Sequence, residues 1–144
     1  MTRRTTLAVA ATLALTALPA CGDRSNDTRA QIEDALHEFL HSALAGDAKG
    51  ACSRLTAEAR EQFAEGVALR GDCEATVREV AAVVSEEEAE AYSELAVRRV
   101  RVNGDRAEVA DEDLILSASV TSESNDRPTV LRRVDGEWLI EDMG

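Results

Sequence analysis

The sequence predicts an α+β domain in which helices come first and an antiparallel sheet follows. Between residues 30 and 94 the apolar positions recur with the period of a helix, whereas from residue 95 onward they alternate with the period of a strand. Two turn sequences, Asn103-Gly104-Asp105 and Asp135-Gly136, divide the second half into hairpins. These patterns indicate one domain, since about 120 residues can bury one core but not two ordinary ones.

The first twenty residues have the composition of a secretory signal peptide. Arg3 and Arg4 precede an apolar run from Leu7 to Leu18, and Leu18-Pro19-Ala20-Cys21 resembles a bacterial lipobox. In that motif the cysteine takes a diacylglycerol and becomes the first mature residue. The apolar run is too short for a bilayer-spanning helix, which needs about 20 residues. We therefore expect residues 1–20 to be removed and the protein to be held by lipid on the extracytoplasmic face of the cell membrane.

Residues 21–29 are expected to be the lipidated cysteine and a polar tether, and residues 30–144 the folded domain. A first helix is predicted over Ala30–Ala45, with Thr28 as its N-cap and Gly46 at its end. Further helical pieces are predicted at Ala51–Leu55, from Thr56 through Phe63, from Asp72 to Val84, and at Glu86–Glu94. The predicted strands are Leu95–Val102, Arg106–Ala110, Leu114–Thr121, Thr129–Val134 and Glu137–Asp142, with a polar loop at Ser122–Pro128.

The chain is strongly acidic. Its net charge is −12, and it becomes −14 without the first twenty residues, which hold two arginines and no acid. A surface of this sign repels nucleic acid and anionic lipid headgroups. We therefore expect no nucleic-acid partner, and the charge by itself indicates mainly solubility.

Cys52 and Cys73 remain as an even pair if Cys21 carries lipid. In an oxidising compartment such a pair favours a disulfide, which could contribute roughly 3 kcal/mol. Metal ligation and a reactive thiol are the alternatives, but the two cysteines lack the CxxC spacing of a metal or redox site.

Several local sequences, taken in order, resemble small secreted nuclear transport factor 2-like lipoproteins of actinobacteria. They are Phe39-Leu40, Ala45-Gly46-Asp47, Ala51-Cys52, Leu55-Thr56, Asp72-Cys73, Val100-Arg101-Val102, the Gly104–Val109 segment, and Val134-Asp135-Gly136-Glu137-Trp138-Leu139-Ile140. The resemblance covers roughly residues 30–142. It implies a curved antiparallel sheet wrapped around the N-terminal helices as a cone, with a pocket at the wide end, and a Cys52–Cys73 bridge. It implies no particular activity, since the fold hosts both enzymes and binding proteins.

His37-Glu38-Phe39-Leu40-His41 matches H-E-x-x-H, the zinc-peptidase helix motif, and Glu61 stands where a third ligand could follow. Three observations oppose a zinc site. No strand precedes the helix to hold a peptide, and so short a motif recurs by chance. The histidines also project away from the apolar stripe of the helix, onto a face expected to be solvated; the stripe consists of Ile32, Leu36, Phe39 and Ala43. We expect no metal and no cofactor.

Three residues are candidates for ligand binding. Trp138 could line a pocket or fill the core. Arg98, on the same predicted strand face as Val100 and Val102, could bind an anion or pair with a carboxylate, and Tyr92 is the single tyrosine. No nucleophile elbow, phosphate loop or dinucleotide fingerprint is present, and no inward acid of the kind used by enzymes of the resembled fold can be assigned.

The sequence thus favours a non-catalytic envelope module that binds a small apolar ligand or docks onto an envelope protein. The alternative is an envelope enzyme, either a hydrolase or isomerase of the cone pocket or an H-E-x-x-H zinc peptidase.

Overall fold

A computed structural model describes residues 23–66, 71–116 and 127–144. Helices precede strands, which confirms the predicted α+β class. The helices are α1 (Asp23–Leu44), α2 (Ala48–Ser53), α3 (Ala57–Gly66), α4 (Cys73–Val83) and α5 (Glu86–Ser93). The strands are β1 (Ala96–Val97), β2 (Arg101–Asn103), β3 (Arg106–Val109), β4 (Leu114–Ile115), β5 (Thr129–Val134) and β6 (Glu137–Asp142), and a 3₁₀ turn spans Asp111–Asp113.

Helix α1 begins earlier than the sequence predicts. It starts at Asp23, so much of the segment expected to be a tether is helical, and Thr28 lies inside the helix instead of capping it. The physical reason is that no glycine or proline interrupts the chain between residue 23 and Gly46. At the other end Gly46 adopts φ +73°, a left-handed conformation that stops the helix as predicted.

Side-chain caps set the starts of the shorter helices. The Thr56 hydroxyl accepts the Ala59 N–H at 3.2 Å, and the Asp72 carboxylate accepts the Ala75 N–H at 2.9 Å, which confirms the predicted helix starts. Asp47 caps α2 by accepting the Gly50 N–H at 3.0 Å, so this helix begins before the predicted Ala51.

The predicted strand Leu95–Val102 is wrong as a single element. It consists of β1 and β2, which lie in different sheets on either side of Arg98–Val100. β1 pairs antiparallel with β4, whereas β2 is an edge of a four-stranded antiparallel sheet of order β2-β3-β5-β6. The described strands form no closed barrel. The predicted strand Leu114–Thr121 is described only as β4, since residues 117–126 lie outside the described residues.

Both predicted hairpins are confirmed. Asn103 pairs with Arg106 across Gly104-Asp105, and Val134 pairs with Glu137 across Asp135-Gly136. Asp135 and Gly136 have φ values of 51° and 92°, the left-handed pair that a tight hairpin turn requires.

The segment between α2 and α3 covers one edge of the four-stranded sheet. The Ile140 N–H of β6 donates to the Arg54 carbonyl, and the Ile140 carbonyl accepts the Thr56 N–H, each at 2.9 Å. The other edge, β2, is short and exposed along its three residues. One apolar core joins α1, α2 and α4 to β1, β3, β5 and β6; its largest fully buried side chains include Ile32, Leu55, Val77, Val97, Val109, Leu131 and Ile140.

Candidate functional sites

The structure places the three candidate ligand-binding residues in three separate regions. Trp138 lies in the core, Arg98 lies beside the 3₁₀ turn, and Tyr92 lies on α5. Each lines a different surface cleft. They therefore do not form one site. Cys21, the expected lipidation residue, lies outside the described residues.

Trp138 fills the core. Its side chain is only 4 % exposed, and the Arg133 guanidinium carbon lies 6.0 Å from the centroid of the indole ring. Its indole N–H is buried and has no hydrogen-bond partner among the described residues. The adjoining cleft of about 220 Å³ has Asp34, Glu38 and Glu137 in its lining. Trp138 therefore packs in the core and also contributes to the lining of this cleft.

Arg98 is a structural cross-link. Its guanidinium Nε lies 3.2 Å from Asp113 Oδ1, and its Nη2 donates to the Glu112 carbonyl at 2.6 Å. The Arg98 backbone N–H also donates to the Asp113 carbonyl at 2.8 Å. Asp113 is 4 % exposed, so this exposed arginine supplies the donors that a buried carboxylate needs. The pairing of Arg98 with a carboxylate, one of its two predicted roles, is observed. The predicted strand face that Arg98 shares with Val100 and Val102 is wrong, because Arg98 lies between β1 and β2.

A cleft of about 540 Å³ opens beside Arg98 and differs in charge from the rest of the surface. Its lining combines three arginines, two valines and three uncharged polar residues: Arg29, Arg98, Arg99, Val100, Val102, Ser25, Asn26 and Thr28. Among the described residues no carboxylate lines it. We call it the arginine cleft. Arg29 and Arg99 were not among the predicted site residues; the adjacent Arg98-Arg99 pair in so acidic a chain is the sequence signal for a basic surface there.

The two histidines of the H-E-x-x-H match lie under α5. Their rings stack with centroids 6.3 Å apart, and His37 Nε2 donates to the Ser93 carbonyl at 3.0 Å. His37 is half-buried and, with Tyr92, lines a small cleft of about 200 Å³. The expectation of a solvated face therefore holds for the exposed His41, whereas His37 is half-buried because α5 packs against α1.

Glu38 does not join the histidines. It forms an ion pair with Arg54 next to α2, on a different side of α1, because consecutive helical residues project about 100° apart. Within residues 23–66, 71–116 and 127–144, no cluster of three or more histidine, cysteine or acidic side chains has a geometry that could hold a metal ion. Glu61, the suggested third ligand, lines a different cleft, together with Cys73.

Cys52 and Cys73 are bonded to each other. The bridge joins α2 to the first residue of α4, with the two Cα atoms 6.1 Å apart, and both side chains lie in the core. The predicted disulfide is thus present in the structure. It secures the packing of α4 against α2.

Comparison with known proteins yields no match: no family model, no curated protein and no solved structure is significantly similar to this chain. Across the helices that the structure describes, none combines the length and apolar character needed to cross a bilayer.

Proposed function

We propose that the chain is a lipid-anchored protein of the bacterial envelope whose non-catalytic domain docks onto another envelope protein. In this proposal residues 1–20 are a signal peptide, Cys21 carries the lipid, and residues 30–144 are a nuclear transport factor 2-like domain. The support for the anchor is the sequence Leu18-Pro19-Ala20-Cys21 at the end of a short apolar run. The support for the family is the helices-then-sheet order together with the local sequences that resemble it.

One observation favours docking over storage of a small apolar ligand. The space between helices and sheet is filled by side chains, since Phe39, Leu131 and Ile140 are at most 5 % exposed. Two larger clefts among the described residues, of about 540 and 380 Å³, lie on the surface instead and have charged groups in their lining. An apolar ligand needs a concave, mostly apolar pocket that buries most of its surface, and a domain with a filled core presents its outer face for binding.

The anchor is tested by Cys21→Ser in a bacterium that processes lipoproteins. The variant should accumulate as unprocessed precursor or as protein outside the membrane fraction, because serine has no thiol to accept the diacylglycerol. Ser53→Ala, at an exposed residue of α2 outside the arginine cleft, is the control and should leave the membrane fraction unchanged. An unchanged membrane fraction for Cys21→Ser would overturn the anchor.

Docking is tested separately by native mass spectrometry of the protein released from envelope membranes in mild detergent. The expected species is the lipoprotein bound to a second protein of constant mass, with a fixed stoichiometry across preparations. A stoichiometric apolar small molecule that leaves on heating would contradict docking and favour ligand storage.

A further inference from the structure

The arginine cleft has a local charge opposite to that of the molecule. The chain has 28 acidic and 16 basic residues, yet the described lining of this cleft includes three arginines and no acid. Arg29 and Arg98 are held by protein groups, since Arg29 donates to the Val97 carbonyl at 2.8 Å and Arg98 pairs with Asp113. Arg99 is exposed and makes no ion pair with any described residue, so its guanidinium is available to an external anion.

The position of the cleft indicates which anion it meets. Its lining begins at Ser25, four residues after Cys21. Even a fully extended chain spans only about 3.5 Å per residue, so a lipid on Cys21 would hold Ser25, at one end of this lining, within roughly 14 Å of the membrane surface. A cleft whose lining starts that close to the bilayer is placed to meet phosphate headgroups, and guanidinium groups bind phosphate with paired hydrogen bonds.

We propose that the arginine cleft binds the anionic phospholipid headgroups of the membrane that carries the anchor, and so fixes the orientation of the domain on the bilayer. The proposal rests on the proposed lipid anchor for its location, but the cleft's preference for anionic headgroups does not require the lipid. Arg99 contacts a headgroup phosphate, and the half-exposed Val102 lies against the interfacial region of the bilayer.

This proposal replaces the expectation that the acidic surface keeps the domain away from anionic lipid. Repulsion between the net charge and the membrane is screened over about 8 Å at physiological ionic strength. Once the anchor holds the domain at the surface, the groups within that distance decide the contact. No described carboxylate lines the cleft, so its arginines set the local charge of the surface that meets the headgroups.

The test uses the full chain carrying Cys21→Ala, which cannot be acylated, so that its outcome is independent of the anchor. The protein is sedimented with vesicles of phosphatidylcholine alone or of phosphatidylcholine and phosphatidylglycerol in equal parts. Binding should be stronger to the mixed vesicles and should weaken with added sodium chloride. Adding Arg99→Glu should lower the partition coefficient on mixed vesicles at least fivefold, because one basic residue near an anionic surface contributes about fivefold.

Lys49→Glu is the matched control, since Lys49 is an exposed residue of α2 outside the cleft and the reversal changes the net charge equally. It should change the partition coefficient less than twofold. The signal segment is common to all variants, and unchanged near-ultraviolet circular dichroism of Trp138 verifies folding. Equal effects of the two reversals, or equal binding to both kinds of vesicle, would overturn the proposal. Displacement by inorganic phosphate at matched ionic strength would overturn it as well, because the cleft would then be a site for free phosphate.

Discussion

At the residue scale, Arg98 shows how one exposed side chain determines a local path of the chain. It binds the buried Asp113 carboxylate and the Glu112 carbonyl, and its own backbone N–H bonds to Asp113. These contacts hold the 3₁₀ turn against the end of β1. A buried carboxylate that loses its donor costs more than an exposed pair contributes.

We therefore predict that Arg98→Gln lowers the free energy of unfolding by about 1–3 kcal/mol. The adjacent Arg99→Gln should change it by less than about 0.5 kcal/mol, since Arg99 makes no ion pair with a described residue and lies at the surface. Urea unfolding of both variants, followed by far-ultraviolet circular dichroism, measures the difference. Equal midpoints for the two variants would show that the Asp113 contact contributes nothing to stability.

The contacts of His37 and Glu38 bear on whether the H-E-x-x-H match forms a zinc site. His37 Nε2 already donates to the Ser93 carbonyl, and Glu38 is paired with Arg54. A catalytic zinc site needs three protein ligands and oriented partners behind each histidine. Neither His37 nor Glu38 is arranged for that chemistry.

We predict that metal-free protein offered zinc takes up no stoichiometric zinc, as measured by elemental analysis after gel filtration. His37→Ala serves as the control and should give the same residual metal as the parent protein. One zinc per chain, together with peptidase activity that is lost in both His37→Ala and Glu38→Gln, would contradict this prediction and favour the zinc peptidase.

At the element scale, the disulfide between α2 and α4 is the strongest single link. It closes a sequence separation of 21 residues in a domain with one core. Reduction should lower the free energy of unfolding by about 2–5 kcal/mol. Denaturant unfolding with and without reductant measures this loss, and Cys52→Ala with Cys73→Ala should match the reduced protein and be insensitive to reductant. Two free thiols in protein taken from the envelope would contradict the bridge.

The start of α5 carries a pH-dependent contribution to stability. Ser85 and Glu88 form a reciprocal capping box, in which Glu88 Oε2 accepts the Ser85 backbone N–H at 3.0 Å and the Ser85 hydroxyl at 2.8 Å. These hydrogen bonds, the backbone one first, hold the pKa of Glu88 below its ordinary value of 4.5. Because the folded state favours the ionised carboxylate, its contribution is complete above pH 4.5 and is lost as the pH falls below that value.

Glu88→Gln should therefore lower the thermal midpoint above pH 5, with a difference from the parent protein that shrinks as the pH falls toward 3. Glu87→Gln, on the same exposed turn, is the control because it removes an equal charge without touching the cap. Thermal scans across this pH range test the difference. A deficit for Glu88→Gln that stays constant with pH would show that the cap does not titrate.

The elements also show why parts of the fold could be predicted and others could not. The caps at Thr56 and Asp72 and the turn at Asp135-Gly136 depend on residues close in sequence, so the sequence contains their whole cause. The break between β1 and β2 depends on Asp113, 15 residues from Arg98, and the alternating pattern runs through it without interruption. For the same reason the arginine cleft, which joins α1 to the residues before β2, could not be predicted from either segment alone.

At the scale of the whole molecule, three features support one another in the proposed function. Apolar side chains fill the core, and the chain has a negative net charge. The arginine cleft, which has the opposite charge, lies beside the start of α1, close to Cys21 in the sequence. An anchored module would then place the arginine cleft toward the bilayer and its acidic faces toward partners in the envelope.

The intact mass of the protein extracted from envelope membranes tests the central proposal most directly. We predict a chain that begins at Cys21, lacks residues 1–20, and carries a thioether-linked diacylglycerol. The Cys21→Ser protein should lack this modification. A mass that includes Met1, or a chain with an unmodified Cys21 thiol, would contradict the lipid anchor on which the proposed function depends.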